Sequence, residues 1–146
     1  MTSLLHRMTV CGLLAAALAG CSSTRTMASA PADARPATMF PLSAEQADRL
    51  LVTAMASEFP GSAISRVEFP NKGYTTTIRF LLDSHQITAS MVAARGLDGG
   101  KPVDGFYFEV NDAGTMLVSG RLRAGKVFDR LVHDASQLAP ALPQSR

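Results

Sequence analysis

From residue 43 onward the spacing of apolar and polar positions changes period twice. Ala47, Leu50, Leu51, Ala54 and Met55 share one face of a 3.6-residue repeat, which predicts an amphipathic helix. Ser43 precedes the run and Gln46 stands three positions later, the spacing of a capping box. Glu45 and Asp48 put negative charge in the first turn, where the helix dipole favours it. Pro60 disfavours helical backbone at Phe59 and Gly61 follows, so the helix is predicted to stop near Glu58. The period then falls to two. Residues 64–69 read as a short strand closed by Pro70-Asn71-Lys72-Gly73. Residues 74–82 give a clearer strand, with Thr76, Ile78, Phe80 and Leu82 on one side and Thr75, Thr77 and Arg79 on the other. Asp83-Ser84 turns the chain. Residues 85–94 return with Ile87, Ala89, Met91 and Ala93 inward and Gln86, Thr88 and Ser90 outward. His85 reads as a solvated turn residue.

Residues 95–104 are rich in glycine and read as a loop. A second hairpin follows: residues 106–110 with Phe106, Phe108 and Val110 inward, a turn at Asn111-Asp112-Ala113-Gly114, and residues 115–122 with Met116, Val118 and Leu122 inward. Gly120 weakens that last strand or marks a bulge. From about Gly125 to Leu138 the helical period returns, with Val127, Phe128, Leu131, Val132, Ala135 and Leu138 as the stripe. Pro140 and Pro143 close it. A helix, about five strands in consecutive hairpins and a second helix predict an α+β fold. Its antiparallel sheet carries both helices on one face and leaves the other wet. Residues 42–139 form the single domain of this reading, and residues 140–146 a tail.

The N-terminal residues follow another pattern. Arg7 precedes a charge-free apolar run from Met8 to Ala19, and small residues follow. That is the layout of a secretory signal peptide over residues 1–20. The run is shorter than the ~20 apolar residues a membrane span needs. Leu18-Ala19-Gly20-Cys21, placed directly after the run, resembles the lipobox of bacterial lipoproteins. The resemblance covers these N-terminal residues alone. It implies cleavage before Cys21, a diacylglycerol thioether on Cys21 and acylation of the new amino group. Ser22 in place of Asp implies sorting to the outer membrane, with the domain facing the periplasm. Two or three acyl chains, at ~0.8 kcal/mol per buried CH₂, anchor a protein firmly. Ala28-Ser29-Ala30 offers a second cleavage site well beyond the apolar run, and its use would release a soluble protein. Residues 21–41, rich in Ser, Thr, Ala and Pro, are expected to be the lipidated N-terminus and a flexible linker of ~25 Å typical span. The alternative is a segment that orders on a partner, with Met39 and Phe40 as anchors.

Composition narrows the function. Hydrophobic content of 47% and charged content of 18% are globular values. The formal charge is +2, and the loss of Arg7 with the signal leaves about +1, with no block of like charges. Nucleic acid is therefore not an expected partner. The two cysteines are Cys11, inside the signal, and Cys21, at the acylation site. The domain is expected to have no disulfide, no thiolate metal site and no cysteine nucleophile.

Candidate chemistry is sparse. Gly99-Gly100-Lys101 lacks the spacing of a phosphate loop and is followed by Pro102. His85, His133 and the carboxylates show no metal-ligand spacing, and Asp98 and Asp104 lack that of a calcium loop. Glu68, Asp83 and Glu109 are the carboxylates a glycosidase-like pair would need. His133, followed by Asp134, is the one candidate base for a hydrolase, and the sequence places none of Ser84, Ser90, Ser119 or Ser136 beside it. No cofactor and no metal are expected. The possible binding face is the open side of the sheet, represented by Tyr74, Arg79, Gln86 and Tyr107. Arg121, Arg123, Lys126 and Arg130 form a possible basic patch near the sheet's end, for anionic headgroups or an acidic partner. The expected function is a membrane-anchored, non-enzymatic binding or accessory module for another envelope protein. The second expectation is a carrier of a small apolar ligand or lipid, with Met55, Met91 and Met116 lining a cleft under the helices.

Overall fold

The computed structural model describes residues 23–26, 36–79, 84–114 and 118–145. Its fold is α+β. The helix α1 spans Ala44–Glu58, and its capping box forms: Ser43 Oγ accepts from the Gln46 N–H at 3.2 Å, and the Ser43 N–H donates to Gln46 Oε1 at 2.8 Å. Ala47, Leu51, Ala54 and Met55 are its buried face. Phe59 ends it as C-cap, its N–H donating to the Met55 carbonyl, and buries its ring beside the stripe.

Three strands build the body of the sheet: β4 (Gly73–Arg79), β5 (Ser84–Asp98) and β6 (Lys101–Gly114). They pair antiparallel, β4 to β5 from Gly73↔Ser90 to Arg79↔Ser84 and β5 to β6 from Gln86↔Ala113 to Asp98↔Lys101. Two short strands complete it, β1 (Ser23–Thr26) on the outside of β6 and β3 (Ser65–Val67) on the outside of β4. The helix α2 runs Val118–Leu138. Both helices pack on one face, where Ala124, Val127, Leu131 and Ala135 of α2 and the α1 stripe enclose Ile87, Ala89, Met91, Phe108 and Val110.

The structure corrects the sequence reading in four places. First, residues 95–104 are not a loop. The hairpin continues through them, and only Gly99 and Gly100, at φ +54° and +86°, turn the chain. This is the two-residue hairpin turn that needs positive φ at both positions. Gly96 and Gly105 serve close packing instead: a Cβ on Gly96 would stand 2.7 Å from Met39 Sδ, and one on Gly105 would overlap the Phe40 carbonyl oxygen. Second, Asn111-Asp112-Ala113-Gly114 is strand rather than turn, and Val118 to Leu122 belong to α2. Leu, Arg and Ala are strong helix formers, and residues 121–124 supply all three, so helical propensity wins over a weak alternation. Leu122, expected inward, is 61% exposed. Phe80, Leu82 and Met116 lie outside the described residues. Third, the stripe of α2 is narrower than expected, because Val132 and Leu138 are exposed.

The fourth concerns the expected linker. Residues 38–42 are part of the folded body. β2 (Thr38–Met39) pairs with β7 (Leu142–Pro143), so the expected tail is structured as well. Phe40 exchanges backbone hydrogen bonds with Phe106 at 2.8 and 2.9 Å. Met39, Phe40 and Leu42 are buried at 0%, 5% and 4% exposure. Met39 and Phe40 are anchors, and what they anchor to is the chain's own sheet. Ser23–Thr26, also expected in the linker, supplies the fifth strand that residues 115–122 were expected to give.

Candidate functional site

Cross-strand register sorts the expected binding face. Thr75, Thr77 and Arg79 of β4 stand opposite Thr88, Gln86 and Ser84 of β5, and Gln86, Ser90 and Val92 opposite Ala113, Glu109 and Tyr107 of β6. These positions make up the side of the sheet away from the helices. Arg79, Gln86 and Tyr107 are therefore brought to one face. Tyr74 is not: it stands opposite Ala89, on the helix side. Its hydroxyl donates to Asp48 Oδ2 of α1 at 3.0 Å, and the Arg66 guanidinium lies 5.9 Å from its ring centre. Partial burial first, then the hydrogen bond to Asp48, push the Tyr74 phenol above its ordinary range. The Arg66 guanidinium is held further on its charged side by Glu68 at 2.6 Å, and then by Asp48.

The outer face is polar and graded in exposure. Thr77, Arg79 and Gln86 are exposed, Thr75 and Thr88 half-buried, and Ser90 and Tyr107 buried. Its centre uses its hydroxyls internally: Thr88 Oγ1 donates to Thr75 Oγ1 at 2.9 Å, and Thr75 Oγ1 to the Ile87 carbonyl at 3.1 Å. Asn111 Oδ1 is buried there with no hydrogen-bond partner among the described residues. What this face offers a ligand is its exposed rim, one guanidinium and one amide, Arg79 and Gln86.

The basic patch is helical, not a strand edge. Arg121, Arg123, Lys126 and Arg130 all belong to α2, and the side chain of Arg121 lies outside the described residues. Arg123 donates to the Glu58 carbonyl at 3.3 Å and lies 5.9 Å over the Phe59 ring, which ties α2 to the C-terminal end of α1. Arg130 stands 3.7 Å from Asp134 one turn on. Lys126 is exposed.

The sequence reading missed one pair. His85 Nδ1 lies 2.8 Å from Asp112 Oδ1, with side-chain exposures of 2% and 8%. β5 and β6 bring them together diagonally on the helix-facing side: Asp112 stands opposite Ile87, two positions along from His85. The signal was present. His85 shares the parity of Ile87, Ala89 and Met91, and Asp112 that of Phe108 and Val110. A carboxylate on Nδ1 fixes the imidazole's tautomer and orientation, half of what a general base requires. Burial of both side chains withholds the other half, access to a substrate.

The other chemical candidates disperse. His133 is exposed, and Asp134 turns to Arg130. Asp104 pairs with Arg95 at 2.8 Å, which raises the Arg95 guanidinium further above neutrality. Among the described residues no cluster of three or more His, Cys, Asp or Glu could hold a metal. Met55 and Met91 sit in the packed core, and Met116 and Asp83 lie outside the described residues. An open groove of about 420 Å³ runs past Leu42, Ala93, Arg95, Asp104 and Phe106. Cys21 lies outside the described residues, two positions before β1. No described helix is long and apolar enough to cross a membrane. No protein-family model matches this chain, and neither do curated proteins or solved structures.

Proposed function

We propose that the protein is an outer-membrane lipoprotein, acylated at Cys21, whose periplasmic domain is a non-enzymatic binding or accessory module for another envelope protein. The observation that carries this reading is the outer face of the sheet. Both helices pack on the opposite side, so Thr77, Arg79 and Gln86 stand exposed on a rigid strand pair. A guanidinium and an amide held on adjacent strands suit hydrogen bonding to a carboxylate or a backbone edge of a partner. Burial of the His85–Asp112 pair supports a structural role for it, as a tie between β5 and β6.

Location and binding are tested separately. Cys21→Ser should move the protein from the membrane fraction to the soluble periplasm, and a mutant that stays membrane-bound would collapse the anchor. A photo-crosslinking residue at Gln86 in the acylated protein should capture a defined envelope protein, and Arg79→Glu should abolish that capture. Crosslinks to bulk lipid alone, or capture indifferent to Arg79, would refute the binding face.

A further inference from the structure

Strand β1 changes what the N-terminal segment can do. Ser23 stands opposite Gly114 and Thr26 opposite Asn111, so the chain enters the sheet at the end of β6. Phe106 exchanges both backbone hydrogen bonds with Phe40, which shows that the even-numbered residues of β6 turn their N–H and C=O to this edge. Arg25, opposite Asp112, occupies such a hydrogen-bonding position. Cys21 precedes Ser23 by two residues, a reach of at most about 7 Å. A segment that would span ~25 Å as free coil becomes a short clip.

Several features gather at the same end of the molecule. β4 finishes there at Arg79, and α2 begins there, four residues after Gly114. Arg79, Leu122 and Lys126 are exposed, Leu122 at 61%. An exposed leucine with a lysine one helical turn on suits the boundary between acyl chains and anionic headgroups. The turn at Gly99 and Gly100 lies at the opposite end of the β5–β6 hairpin. From Lys101 to Ala113 that hairpin extends roughly 40 Å at the rise of a strand.

We propose that β1 holds the domain flush on the bilayer and upright, with the Gly114 end, Leu122 and Lys126 against an anionic lipid surface. The Gly99–Gly100 turn then points away into the periplasm. The proposal rests on acylation of Cys21. It places the outer face of the sheet perpendicular to the membrane, and it makes the turn the part of the domain furthest from the lipid.

Label position tests it. Acylation leaves the mature chain without a free thiol, so Ala113→Cys and Lys101→Cys each create one labelling site on β6. The full-length acylated protein is reconstituted in vesicles of phosphatidylglycerol and phosphatidylethanolamine that carry a headgroup nitroxide. A fluorophore at residue 113 should be quenched severalfold more than one at residue 101. Arg25→Pro removes a ladder donor from β1. It should leave the protein on the vesicles and erase that difference. Equal quenching at both sites in the acylated parent would overturn the orientation while leaving the anchor intact. An unchanged difference in Arg25→Pro would overturn the role of β1. Intact mass without acyl chains at Cys21 would remove the lipoprotein reading and the proposal with it.

Discussion

The His85–Asp112 pair gives the sharpest test of how the sheet is held together. Both side chains are nearly sealed from water and meet at 2.8 Å. Asp112→Ala deletes the acceptor and leaves His85 buried beside a small void. Deleting a buried hydrogen-bond partner costs ~1–3 kcal/mol, and the void left behind adds to the loss. About 3 kcal/mol is the expected loss, a large fraction of the ~5–15 kcal/mol that holds a domain together. For a domain of about a hundred residues each kcal/mol shifts the midpoint by roughly 4–8 °C, so Tm should fall by about 12–24 °C. His85→Ala should cost a similar amount. Asp112→Asn keeps an acceptor for an Nδ1–H and should lose only about 1 kcal/mol. The double variant decides the matter. If the two side chains act on each other, its loss falls short of the summed single losses by ~1–3 kcal/mol. The assay is urea unfolding of the Cys21→Ser protein followed by circular dichroism, with the slope checked across variants. Additive single losses, with a coupling under ~0.5 kcal/mol, would refute the pair as a tie.

Two further predictions rest on other contacts. Gly105→Ala forces a Cβ into the Phe40 carbonyl and should break the Phe40–Phe106 bridge, at about 2–4 kcal/mol from overpacking and lost hydrogen bonds. Gly99→Ala meets nothing within 4 Å and should pay only the ~1–2 kcal/mol of positive-φ strain; equal losses in the two variants would show that the residue 39–40 segment does not press on the sheet. The phenol of Tyr74 is raised in the folded state, so the stability it contributes is fully present below about pH 10 and is lost as pH rises through its folded value. Absorbance titration near 295 nm should show a phenol ionising above the free range, Asp48→Asn should lower it, and a titration unaffected by that change would contradict the Tyr74–Asp48 bond.

What the sequence made legible depended on whether the cause was local. The capping box at Ser43 and Gln46, the α1 stripe and the alternation of Ile87, Ala89 and Met91 are fixed by neighbours in the chain, and each stands as expected. The failures share a cause of the opposite kind. Gly96 and Gly105 look like loop residues until Met39 and Phe40, more than fifty residues earlier, are seen lying against them. Residues 38–41 look like linker because they are short and flanked by small polar residues, and their strand character comes from pairing with residues 142–143. Tyr74 carries the same lesson for the candidate face. Its parity matches that of Thr76 and Ile78, which puts it on the helix side and not on the open face where it was expected. Arg79 and Gln86, assigned by parity, lie where expected.

The covered edge of β6 links the fold to the proposed anchor. An unpaired edge strand is a template for association with another chain, and proteins blunt such edges by pairing or covering them. On β6 this falls to the N-terminal segment at two places, β1 over residues 111–114 and Phe40 at Phe106. The same segment begins at the proposed acylation site. If it served only as a spacer, nothing would require it to pair, and charged residues on β6 could guard the edge more simply. With Cys21 acylated as proposed, pairing makes the distance from lipid to sheet a property of the fold, set by two residues before Ser23 rather than by the statistics of a coil. A binding module gains from this, because fixing height and direction removes orientations that a partner would otherwise have to select, and that loss of freedom is charged against every encounter. The consequence is specific to this chain: lengthening the segment between Cys21 and Ser23 with a Gly-Ser insert should leave the anchor intact and weaken partner capture at Gln86, whereas the same insert between residues 27 and 35 should leave capture unchanged.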